Sequence, residues 1–174
     1  MYPEFPIECE CSYRPPRFNL AFARKALEVL RPGHDVAAEA SPRGLTLLAE
    51  TEMALEEPLS VLRDMYGNNI QVGPPKVRYR QNAEQLEEPY MGLRIRCRPA
   101  YFTRLRIDLV RRGADISDAE LTSLCGVLRA TAPLAVLVGY PAHVRTVTEG
   151  TAQLVMWLSH YAPVTNTPPG GNAA

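Results

Sequence analysis

The chain has 174 residues, of which 46% are hydrophobic and 22% charged, and its nineteen basic and nineteen acidic side chains balance to zero. This is the make-up of a soluble globular protein with room for one domain or two small ones, and a net charge of zero says nothing about partners. No apolar run approaches the ~18–20 residues of a spanning helix, and the start MYPEFPIECEC has no basic region ahead of an apolar block, so neither a membrane span nor a secretory signal is predicted and a cytoplasmic location is expected.

In chain order, Pro6 to Tyr13 alternates Ile7, Cys9, Cys11 and Tyr13 with Glu8, Glu10 and Ser12, which predicts a half-buried strand. Phe18 to Leu30 is helical by period, with Phe18, Phe22, Ala26, Val29 and Leu30 in one stripe and Asn19 as a candidate cap. Val36–Ala40 and Leu45–Thr51 flank the turn signal Ser41-Pro42-Arg43-Gly44 and read as a hairpin. A second helix is expected from about Met53 to Tyr66, with Pro58 tolerated in its first turn. Ile70 to Val72 opens a strand that breaks at Gly73-Pro74-Pro75 and resumes at Lys76–Arg80. The order of this half is β-α-β-β-α-β.

Gln81 to Glu88 is polar without an apolar period and reads as a linker. The order then repeats. Met91–Arg98 is a strand and Tyr101–Arg112 a helix with Leu105, Ile107, Leu109 and Val110 mostly inward. Ala114–Glu120 and Ser123–Ala132 are strands, and Pro133 to Thr148 is helix-like with an interruption at Gly139-Tyr140-Pro141. Ala152–Tyr161 is a strand that is partly apolar on both faces, so a central or interface position is expected. Thr165–Ala174 has the composition of a disordered tail. Two successive units of this order predict an α+β protein of two tandem ferredoxin-like (split β-α-β) modules, each an antiparallel sheet with helices on one face. The expected division is 1–80, a linker at 81–88, a second module at 89–164 and a tail at 165–174.

The charge is uneven. Residues 1–75 carry seven basic and eleven acidic side chains, 76–112 ten and four, and 113–174 two and four. Lys76, Arg78 and Arg80 share one strand face, and Arg94, Arg96 and Arg98 another. These faces are candidates for the open sides of the two sheets, where they would form a binding patch, or for charge that blocks strand edges from pairing. Cys9, Cys11, Cys97 and Cys125 read as core thiols, because their spacing is not that of a zinc site. His34, His143 and His160 stand alone, no Ser-His-Asp or Cys-His grouping is visible, and no aromatic pair of the RNA-recognition-motif type sits on the central strands. Trp157 and Tyr161 are expected to pack in the core or between modules. No enzyme, cofactor or metal is expected.

The second half resembles the C-terminal domain, domain V, of elongation factor G and the ribosomal protection proteins. The residues that carry this are Glu88-Pro89-Tyr90-Met91, Tyr101 with Arg111-Arg112-Gly113, Ala132-Pro133-Leu134-Ala135, Gly139-Tyr140, Val144-Arg145-Thr146, Thr148-Glu149-Gly150 and His160-Tyr161-Ala162-Pro163-Val164. The first half is more loosely similar to domain III, through Leu62-Arg63, Tyr66-Gly67 and Val72 to Arg80. Glu50-Thr51-Glu52 departs from the family's Gly-Met-Gly-Glu-Leu-His type sequence there, and Gly150-Thr151-Ala152 from its Gly-Arg-Gly. The sequence contains no Gly-x4-Gly-Lys-[Ser/Thr] loop, and Gln81–Glu88 stands where the family's domain IV would lie. The resemblance implies a protein that binds the ribosome or another translation component without hydrolysing GTP, with Arg94, Arg96, Arg98, Arg104, Arg111, Arg112 and Arg145 as candidate ribosome or RNA contacts and neither membrane nor DNA as a partner. The alternative is a ferredoxin-like scaffold for a protein or small ligand. An open sheet face dense with Arg favours the first, and an apolar one the second.

Overall fold

The computed structural model describes residues 5–31, 33–82 and 85–164. The first module runs β1 (Ile7–Tyr13), α1 (Asn19–Val29), β2 (Val36–Ser41), β3 (Gly44–Ala49), α2 (Glu56–Tyr66) and β4 (Ile70–Val72), with β5 (Lys76–Val77) continuing beside β1. β6 (Arg80–Asn82) pairs with the start of β7 (Gln85–Cys97). Then come α3 (Pro99–Arg111), β8 (Asp115–Leu121), β9 (Gly126–Pro133), α4 (Leu134–Leu137), α5 (Tyr140–Val147) and β10 (Gln153–Pro163). The sheets are antiparallel, ordered β2-β3-β1-β4 and β10-β7-β9-β8. In each module the first strand is central, flanked by the third and the fourth, so the fold is two tandem ferredoxin-like modules.

The period-2 alternation of the strands fixes which side each residue takes. In the first sheet Ile7, Cys9 and Cys11 oppose Ala49, Leu47 and Leu45, and all six are buried with Phe22, Ala23, Ala26 and Leu62. In the second, Met91, Leu93, Ile95 and Cys97 face inward with Leu128, Ala130 and Ala132, under Phe102, Leu105 and Leu109 of α3 and Leu134 and Leu137 of α4. The helices therefore cover one face of each sheet and leave the other open.

Several expectations need correction. Asn19 does not cap α1; its side-chain oxygen accepts the N–H of Tyr13 at 2.6 Å and pins the helix start to β1. On α3, Ile107 and Val110 are 45% and 59% exposed, and the inward stripe is Phe102, Leu105 and Leu109, the i, i+3, i+7 row of a helix. Among the described residues β10 pairs only with β7 and is an edge strand, not a central one.

The segment 81–88 is strand where it is described, not a loose linker: Gln81 and Asn82 face Leu86 and Gln85, while Glu87 and Glu88 pair with β10. Within it Glu87 is buried, and it accepts hydrogen bonds from Asn82 and from Arg80, at 3.0 Å and 2.6–2.8 Å. Those bonds hold its carboxyl below the usual range. The expected tail, 165–174, lies outside the described residues.

Candidate nucleic-acid interface

The expected Lys76-Arg78-Arg80 face does not form. Lys76 pairs with Glu10 at 3.0 Å, and Arg78 lies 3.8 Å from Glu8 and donates to the carbonyl of Phe5. Arg80 belongs to the other sheet, against Glu87 and over the Tyr161 ring at 4.3 Å. Glu8 and Glu10 thus meet these cations on the open side of the first sheet, where Phe5, Ala37 and Leu48 form a small apolar cluster.

The open side of the second sheet is different. With Leu93, Ile95 and Cys97 turned inward, Gly92, Arg94 and Arg96 turn outward. Arg94 stands between Arg129 of β9 and Val155 of β10, and Arg96 between Val127 and Gln153. Among the described residues neither Arg94 nor Arg96 has an ion pair, and Arg129 has one at 3.8 Å to Asp118. One step along, Trp157 lies opposite Gly92 and is 43% exposed. A Cβ on Gly92 would sit 2.4 Å from Trp157 Cε2, so glycine is what allows the indole to lie against the β7 backbone. Tyr90 and His160 follow, stacked at 5.0 Å and 17°. The acids Asp115, Asp118 and Glu120 of β8 border the face opposite Thr131, Arg129 and Val127.

The seven arginines singled out from sequence do not converge. Arg94, Arg96 and the exposed Arg98 follow one line along β7 to its end. Arg104 and Arg111 are exposed on α3, which covers the other side of the sheet. Arg112 is held in the structure: it donates to the Val136 carbonyl at 2.8 Å, lies 3.3 Å from Asp108 and covers the Tyr140 ring. Arg145 pairs with Glu56 of the first module at 2.7 Å.

Sequence reasoning missed Arg129, because one Arg in β9 forms no pattern until cross-strand register sets it beside Arg94. It also misjudged Trp157, although the opposition of Leu154, Met156 and Leu158 to Val155 and Trp157 held the signal. Among the described residues, no three His, Cys, Asp or Glu side chains are placed to hold a metal, the four cysteines are free, and no helix is long and apolar enough to cross a membrane. Burial pushes the Cys97 thiol up, which suits a core residue.

Fold and face together define a tandem ferredoxin-like α+β protein whose second sheet carries arginines and aromatic rings on its open side, bordered by the β8 acids. Residues 85–170, just under half of the chain, match the family model for the elongation factor G C-terminus. Elongation factor G 2 of Vibrio cholerae serotype O1 is 39% identical over 85 residues, 48% of this chain and 12% of the factor. A crystal structure of a Thermus thermophilus protein superposes with a TM-score of 0.65 at 15% identity, over 95% of this chain and 42% of the other; this likeness concerns the fold alone. The chain thus spans about an eighth of the length of the curated relative it matches.

Proposed function

We propose that this is a translation-factor-like protein that binds the ribosome or another translation component through its second module, without hydrolysing GTP. The observation that carries the reading is the open sheet face of the part that matches the elongation factor G C-terminus: among the described residues Arg94 and Arg96 stand there without an ion pair, beside Arg129. Unneutralised guanidinium groups on a sheet are suited to phosphates. Arg98 extends the row, and Arg104 and Arg111 offer a second, weaker contact on α3. In this reading Arg112 and Arg145 position the fold rather than touch RNA. The module boundary falls near 79–80, because Arg80–Asn82 pair with β7. A cytoplasmic site of action follows from a ribosomal partner.

The test is co-sedimentation with large ribosomal subunits across a salt series. Binding at low salt that weakens as salt rises, and that is lost in the Arg94→Gln/Arg96→Gln double variant, is the expected result. Absence of binding at low salt would sink the reading. Phosphate release from GTP should stay at the buffer rate with or without ribosomes.

The alternative, a protein-docking scaffold, draws on the exposure of Val155 and Trp157 along the β10 edge. Three arginines on the same face weigh against it, since charge is depleted at the centre of protein interfaces.

A further inference from the structure

We infer that the open face of the second sheet binds an unpaired stretch of RNA, with Trp157 as the platform for a base and Arg94, Arg129 and Arg96 as the phosphate lane beside it. The choice of RNA over DNA rests on the translation-factor reading above; the stacking geometry does not.

Three observations lead to this. Trp157 is the chain's single tryptophan, and a large aromatic 43% exposed on a sheet face leaves apolar area uncovered. It is also preorganised. One side of the indole rests on Gly92, so close that a Cβ there would lie within 2.4–2.6 Å of Cε2, Cζ2 and Nε1. A ring fixed in this way can receive a base at little entropic cost. The third observation is register. Val155 and Arg94 are the pair next to Trp157 and Gly92, and Arg129 lies across from Arg94. Base platform and guanidinium groups are thus one two-residue step apart, about 6.7 Å.

The borders of the face select the ligand further. Asp115, Asp118 and Glu120 line its β8 side and repel phosphate, so a strand is directed along β7 and β10. The stacked Tyr90 and His160 continue the aromatic side beyond Trp157. A duplex keeps its bases inside the helix and cannot offer one to the indole; an unpaired segment can.

The single tryptophan makes the test direct. The full chain is titrated with an eight-nucleotide single-stranded oligouridylate at low salt, and Trp157 fluorescence is followed. Parallel titrations use a G·C-rich RNA hairpin with an eight-base-pair stem, which stays paired at low salt, and inorganic polyphosphate. The expected result is quenching by the single strand, with much less by duplex or polyphosphate. Trp157→Ala should weaken binding, read by anisotropy of labelled RNA, roughly 5- to 150-fold, and Trp157→Phe less. Arg94→Gln and Arg129→Gln, which leave the platform alone, should each lower the slope of log K against log salt by about 0.7.

Quenching of equal size by polyphosphate, or none by the single strand, overturns the inference. So does protection of Trp157 by self-association of the chain without RNA. Thermal melts of each variant confirm that it is folded. Ribosome co-sedimentation without quenching by the single strand would leave the ribosome reading standing and remove this one; quenching without co-sedimentation would do the reverse.

Discussion

The Glu52 carboxylate accepts the backbone N–H of Gly139 through both oxygens, at 3.0 and 2.9 Å, and so joins the first module to the start of α5 in the second. Gly139 has φ of 77°, a left-handed conformation in which glycine is unstrained, and its N–H opens outward at the helix start, where negative charge is favoured. Arg145, one and a half turns along α5, meets Glu56 at 2.7 Å. Glu52, four residues before α2, and Glu56, its first residue, thus hold the N-cap and the last turn of one short helix.

Desolvation raises the Glu52 carboxyl above its ordinary 4.5, and the Gly139 bond opposes this only in part. The folded protein therefore holds the Glu52 proton to a higher pH than the unfolded chain does. This contribution to stability is full below about the ordinary value and is lost as pH rises through the raised one. Glu52→Gln keeps an acceptor for Gly139 and removes the ionisation. Its expected effect is a flatter stability–pH curve in the weakly acidic range, with no loss at pH 7. Glu52→Ala removes the acceptor and should cost about 1 kcal/mol at pH 7. Urea unfolding midpoints between pH 4 and 7 check both.

Glu87 behaves in the opposite sense. Bonds from Asn82 and then Arg80 hold its carboxyl down, so its contribution is present above the ordinary carboxylate value and is lost as pH falls through the lowered one. Glu87→Gln should unfold more readily at neutral pH and lose part of the acid dependence of the parent. Melting curves at pH 3 to 7 would detect this, and an unchanged acid limb would count against it.

These two acids also mark how far the fold could be read in advance. The β-α-β-β-α-β order was legible twice, because hydrophobic period and Pro/Gly punctuation are local properties. Glu87 was not, since a polar stretch looks the same whether it is a linker or a hairpin arm; only pairing with β10 turns Glu87 inward. The candidate site divided in the same manner. Arg94 and Arg96 follow from alternation on a single strand. The residues that join them in the candidate site, Arg129 and Trp157, lie 33 and 61 residues beyond Arg96 and need cross-strand register. On α3 the error was one of phase: four apolar residues were assigned inward, but a helix face holds Leu105 and Leu109, not Ile107 and Val110.

That phase is testable. Leu105→Ala removes a fully buried side chain and should cost about 2–5 kcal/mol. Val110→Ala, at a site 59% exposed, should change stability by no more than about 0.5 kcal/mol. Equal losses for the two would overturn the assigned face.

Tyr140 is fully buried, and among the described residues its hydroxyl has no hydrogen-bond partner. Arg112 lies over the ring at 4.8 Å and His143 stacks at 6.0 Å, so the ring is well used and the hydroxyl is not. A buried unpaired hydroxyl costs about 1–3 kcal/mol. Tyr140→Phe keeps the ring contacts and should stabilise the protein by roughly 1 kcal/mol, seen as a higher urea midpoint with an unchanged m-value. A clear loss of stability would mean that the hydroxyl is satisfied in solution.

Two glycines in the second sheet make a matched pair. A Cβ on Gly126 would lie 2.3 Å from Phe102 Cδ2, and one on Gly92 would lie 2.4 Å from Trp157 Cε2. The collisions are similar, but the neighbours differ. Phe102 is 6% exposed, on the inner face of α3 against the sheet, while Trp157 is 43% exposed on the open face. Phe102 has nowhere to go, so Gly126→Ala should cost about 1–3 kcal/mol as an overpacked core. Trp157 can swing into water, so Gly92→Ala should cost less, near the lower end of that range. It should also shift tryptophan emission to the red as the indole leaves the backbone. The same variant should bind single-stranded RNA more weakly than the parent while Gly126→Ala, where it remains folded, should not. A stability loss at Gly92 as large as that at Gly126, with unshifted emission, would mean that the indole is held far more firmly than its exposure implies.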